Sequence, residues 1–161
     1  MSGASDLGKL LALRSLREER AKAAVSVAAA RLRDASRAVS DAEVAIERHE
    51  HETDRQEQRF LEAMQIKPLP SGEFGRRHEL LGVSDQRREA LIGEREKTST
   101  VLDDCERELA AAQAEWRHRL FERDRLAEAE SRLRTADQAR AEAVVEQEAE
   151  EMSADRVRMS C

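Results

Sequence analysis

The sequence predicts an all-α protein: one long, two-helix antiparallel coiled-coil hairpin with a short helical cap at the bend. Three observations predict it. Charged residues make up 39% of the 161-residue chain and aromatics 2%, with no Tyr, one Trp and three Phe, too few large rings to fill the space between the layers of a compact core. The apolar 40% is dominated by Ala, Leu and Val, and together with abundant Glu and Arg this is the bias of long helices. Apolar residues recur in alternating steps of three and four through both halves, whereas the two Pro and most of the six Gly sit near one end or in one central stretch. High charge is also a mark of disorder, but disordered segments seldom sustain such a heptad pattern.

The first helix is expected over about 6–66, with Ser5 or Asp6 as its cap. Leu7, Leu10, Leu11, Leu13 and Leu16 give its start a broad apolar face. A stricter stripe follows: Val25, Ala28, Leu32, Ala35, Val39, Ala42, Ile46, His49, Thr53, Gln56, Phe60 and Ala63. This is the seam of a coiled coil, and its polar far half implies looser pairing there. Pro68 and Pro70 end the helix, because proline lacks a backbone donor and disfavours helix in the residue before it. The bend then covers 67–83, with a short helical stretch over 73–81 and Gly82 in the left-handed closing position. Ser84 or Asp85 starts the second long helix, expected to run to about 150. Its seam comprises Leu91, Thr98, Leu102, Cys105, Leu109, Ala112 and Trp116. Past Trp116 the phase shifts to Leu120, Leu126, Leu133, Ala136 and Ala143. Residues 151–161 are expected to fray.

The seams match if the chain folds back on itself, and facing residue numbers then have a constant sum. A sum of 151 pairs Phe60 with Leu91, Thr53 with Thr98, Ile46 with Cys105 and Ala42 with Leu109. Small residues face large ones in this register, as interdigitating layers require. Shifts by a heptad preserve the pattern, so the register is a preference. Charge adds a second argument. Residues 1–33 carry Lys9, Arg14, Arg17, Arg20, Lys22, Arg31 and Arg33 against Asp6, Glu18 and Glu19, while residues 141–155 carry six acidic residues and no basic one. Each end opposes its own helix dipole, and a hairpin would bring the two together. Helices of ~60 residues extend about 90 Å, so the expected object is a thin rod.

Chemistry finds little support. His49 and His51 stand two apart, on different sides of a helix; His78 and His118 lack metalloprotease spacing. Cys105 falls on the seam as a small packing residue, and Cys161 is terminal. Gly72, Gly75 and Gly82 follow no strand and form no phosphate cradle. The sequence therefore reads as a non-enzyme without cofactor or metal. A net charge of −6 with interspersed signs gives no nucleic-acid footprint. No apolar run approaches the ~20 residues of a membrane span, and neither a secretory leader nor a disulfide framework is evident, so a cytoplasmic monomer is expected. A binding surface is the better candidate. Leu10, Leu13, Arg14, Arg17 and Arg20 either dock on an acidic, apolar partner or complete the hairpin and meet the acidic far end. Leu69, Phe74, Leu80 and Leu81 pose the same choice at the bend, with sealing of the tip favoured.

The opening Leu10-Leu11-Ala12-Leu13-Arg14-Ser15-Leu16-Arg17-Glu18-Glu19-Arg20-Ala21 resembles the start of the YscO/FliJ family, the coiled-coil stalk proteins of type III secretion and flagellar export. Chain length, the two-helix layout and the Pro/Gly bend after Met64 extend the likeness, which is closer to the YscO branch. The resemblance implies a stalk that binds the hexameric secretion ATPase and the export gate protein at the inner membrane, and also handles secretion chaperones. It would couple ATPase action to export. It places Leu10, Leu13, Arg14, Arg17 and Arg20 at the ATPase-facing end, with the acidic 142–151 segment, including Glu142 and Glu146, beside them. The alternative is a generic coiled-coil adaptor or scaffold unrelated to secretion.

Overall fold

The computed structural model describes residues 2–67 and 70–159, with side chains described over 6–67 and 70–153. Two long helices, α1 (Ser2–Ile66) and α2 (Ser71–Met159), pack against one another as an antiparallel hairpin, and no strand occurs among the described residues. The chain divides into two compact units. One is Val25–Ala111, which contains the turn; the other joins the chain up to Ala24 with the chain from Ala112 onward.

The turn of the Val25–Ala111 unit is tighter than the sequence suggests. The Lys67 amide still donates to Ala63 O at 3.2 Å, and the Glu73 amide donates to Pro70 O at 2.9 Å. The helical stretch expected over 73–81 is present, but it is the opening of α2 and not a separate cap. Gly82 does not close it: no described glycine has a positive φ, and Gly72, Gly75 and Gly82 are all helical. A glycine ends a helix where the chain must turn left-handed. Here the helix stays in register with α1, so no such turn is needed.

The register also differs from the expected one. Arg95 meets Glu43 at 3.1 Å, Arg88 meets Glu50 at 3.0 Å and Arg31 meets Glu108 at 3.5 Å. These numbers add to 138 or 139, 13 or 12 below the anticipated 151, so the pairing lies close to two heptads from the expected register. Apolar periodicity is blind to such a shift, and the flanking charges decide it. The expected register would set Glu43 against Glu108, whereas the observed one gives each an arginine. It also leaves no long bend unpaired.

Among the described residues, Ala28, Ala35 and Leu91 are the buried apolar side chains, and Cys105 is half-buried on the expected seam. Near the turn the seam becomes a closed polar layer. His49 Nε2–H donates to Ser84 O at 3.0 Å, Ser84 Oγ lies 2.9 Å from Thr53 Oγ1, and the Thr53 hydroxyl donates to His49 O at 3.0 Å. Every donor in it finds an acceptor, so the layer holds without an apolar core.

In the other unit, the α1 face of Leu11, Arg14, Glu18 and Ala21 pairs with the α2 face of Trp116, Arg119, Arg123, Leu126 and Glu130, all at least half-buried. The steps of three and four run on through Trp116 without the expected phase shift. Pairing then stops. Every residue of 131–153 is exposed, including Leu133, Ala136 and Ala143 of the expected stripe. α2 is 89 residues long and α1 65. The helix, expected to end at about 150, continues to Met159. No described helix is long and apolar enough to cross a membrane.

Candidate functional site

The start of α1 carries two stripes one helical position apart, and they have different fates. Leu7, Leu11, Arg14, Glu18 and Ala21 face α2. Leu10, Leu13, Arg17 and Arg20, also spaced three and four apart, face outward, with Leu10 50% and Leu13 44% exposed. Of the five sequence candidates on α1, the structure therefore gathers four on one free face and turns the fifth inward.

Arg14 is the exception. Its guanidinium meets Glu122 at 2.5 Å. Arg119 also donates to Glu122 at 3.0 Å and to Glu115 at 2.7 Å. The Arg14 hydrogen bond is the first cause holding the Glu122 carboxyl below its ordinary range; partial burial pushes the other way, and Arg119 and His118 add to the lowering. Arg119 is raised in turn, first by its bond to Glu115 and then by Glu122.

Beside this cluster lies a layer that the seam reading missed. Glu18 is buried, at 7% exposure. It accepts the Trp116 indole N–H at 2.6 Å and an Arg123 N–H at 3.3 Å. Stepping the heptad back from Val25 through Ala21 reaches Glu18 and then Arg14, so the signal was present. It was obscured because both residues are charged and the neighbouring leucines suggested a different apolar face.

Arg17 and Arg20 share a shallow groove with Ala21, Glu115 and Arg119. No ion pair engages Arg17 or Arg20 among the described residues, so this groove presents net positive charge next to the exposed leucines. Glu142 and Glu146 do not lie beside it. They flank Ala141 and Val145 on the unpaired part of α2, past the point where α1 begins. Among the described residues, the expected meeting of basic start and acidic end within the unit does not occur.

At the turn, Phe74, Leu80 and Leu81 are 59%, 60% and 41% exposed, so they do not seal the tip, and Leu69 lies outside the described residues. Phe74 leans on Phe60 with ring centroids 6.4 Å apart, and the Arg77 guanidinium lies 4.9 Å above Phe60. Among the described residues no three His, Cys, Asp or Glu side chains gather as metal ligands. No protein-family model, curated protein or solved structure matches this chain.

Proposed function

We propose that the chain is a non-enzymatic stalk of a bacterial type III secretion system, of the YscO/FliJ kind. It works in the cytoplasm at the inner-membrane export apparatus. There it binds the hexameric secretion ATPase and the export gate protein, couples ATPase action to export, and receives secretion chaperones. The observation that carries the reading is the outward face of Leu10, Leu13, Arg17 and Arg20 at the start of α1. Leucines supply desolvated area and guanidiniums supply orientation on an acidic partner. Arg14 belongs to a different part of the mechanism: it holds α1 on α2 and so positions the face.

The test is capture of the purified secretion ATPase by the full chain. Reversing Arg17 and Arg20 to Glu is expected to weaken capture at least tenfold while leaving helicity unchanged. Arg14→Glu is expected to weaken capture only together with a loss of helix pairing around Trp116. Unchanged capture by the Arg17/Arg20 variant would remove the assignment.

A further inference from the structure

We infer that the free end of α2 docks on the outward α1 face of a second copy of this chain, in a two-fold symmetric pair. The two surfaces are complementary and each is unused within its own molecule. Residues 141–151 carry Glu142, Glu146, Glu148, Glu150 and Glu151 with no basic residue. They also expose Val144 at 54% and Val145 at 64%. The α1 face offers Leu10, Leu13 and Leu16 next to Arg17 and Arg20, with the groove to Arg119 behind them. None of the described residues of the same chain forms an ion pair with these carboxylates.

Geometry allows both contacts to form at once. A two-fold axis across the pair makes α2 of one copy run parallel to α1 of the other. Equal rise then keeps the match over successive turns. With Glu146 beside Arg17, Val145 falls beside Leu16, Glu142 beside Leu13, and Glu151 beside Lys22. Residues 131–153 form a helix about 35 Å long and ~10 Å wide. Counting two such strips and the two faces that receive them gives about 1,400 Å², within the ~1,200–2,000 Å² that stable interfaces bury. The closed pair uses each surface once, so it does not propagate into filaments. It also covers the face proposed above for the ATPase, so the pair is a resting form that must open before docking.

Sedimentation equilibrium of the full chain tests this without any other protein. At tens of micromolar and low salt the expected mass is twice 18.2 kDa, falling toward the single-chain mass in ~0.5 M salt as the charges are screened. The R17E/R20E and E142R/E146R variants are each expected to sediment as single chains with unchanged helicity. Mixed, they are expected to form a pair again, because the reversed surfaces then match in both directions. A single-chain mass for the unmodified protein throughout would overturn the proposal. So would a dimer that neither variant disturbs, or a mixture that fails to associate. The ATPase reading stands or falls on its own capture experiment.

Discussion

Removing the carboxylate of Glu18 should loosen the unit that contains Trp116 while sparing the one that contains the turn. Glu18 is 7% exposed and accepts the indole N–H at 2.6 Å. A hydrogen bond to a buried charged group contributes about 1.5–3 kcal/mol. The Arg123 contact adds less, since its side chain is 32% exposed and water can replace the partner. Glu18→Ala leaves the indole N–H without an acceptor at a half-buried site, so about 2 kcal/mol should be lost. With a urea slope of ~2 kcal/mol per molar, the midpoint should fall by about 1 M. Glu18→Gln keeps a neutral acceptor in place and should fall roughly half as far. Trp116 is the only tryptophan, so its fluorescence reports this layer directly while far-ultraviolet circular dichroism reports both units. The expected result is an earlier fluorescence transition, separated from a dichroism transition that moves less. Coincident transitions at the unmodified midpoint would refute the view that Glu18 is a structural member of the seam.

Three further outcomes are expected. Gly82→Ala should stabilise the protein by about 0.4–1 kcal/mol, because the site is helical with open space around an added Cβ; a loss of thermal stability would restore the left-handed reading of Gly82. Because Glu122 is held below its usual range in the folded state, its contribution is present above the unfolded carboxylate range and is lost as pH falls through the folded value. Urea midpoints of the unmodified protein and Glu122→Gln should thus differ at neutral pH and converge in acid, and a constant gap would exclude this linkage. Nitroxides on residues 43 and 95, in a chain whose two cysteines are replaced, should report backbones about 10 Å apart. Position 108 lies thirteen residues farther along α2, about 20 Å away along the axis, and a shorter 43-to-108 distance than 43-to-95 would reinstate the register first expected from the sequence.

The helices were readable because their signal is redundant: dozens of residues repeat one period, and a few misplaced side chains leave it intact. The register had no such redundancy. Each heptad shift preserves every apolar contact type, so the choice passes to a few pairs, such as Arg95 with Glu43 and Arg88 with Glu50. These favour pairing only modestly, but the competing register sets Glu43 against Glu108. The bend was misread for a related reason. Gly72, Gly75 and Gly82 weaken a helix by about 1 kcal/mol each relative to Ala, which reads as a break in isolation. Pairing of α2 with α1 from Ser84 onward outweighs it, and local propensity yields to the tertiary contact.

The functional face was half legible, and the missing half concerns phase. Leucine and arginine occur at successive positions at the start of α1, so composition alone cannot tell which of them turn inward. Heptad phase can. Once Val25 is fixed on the seam, Arg14 and Glu18 must lie on it, and Arg17 and Arg20 must lie one position off it. An arginine on a seam needs a carboxylate across from it, and Glu122 is that group; an arginine off the seam needs none from its own chain. Charge reversal at Arg14 and at Arg17 with Arg20 therefore perturbs different things, the first the pairing of two helices and the second what that pairing displays. A single substitution replacing all three would confuse them, and only the separated variants can tell a surface that binds from the scaffold that holds it in place.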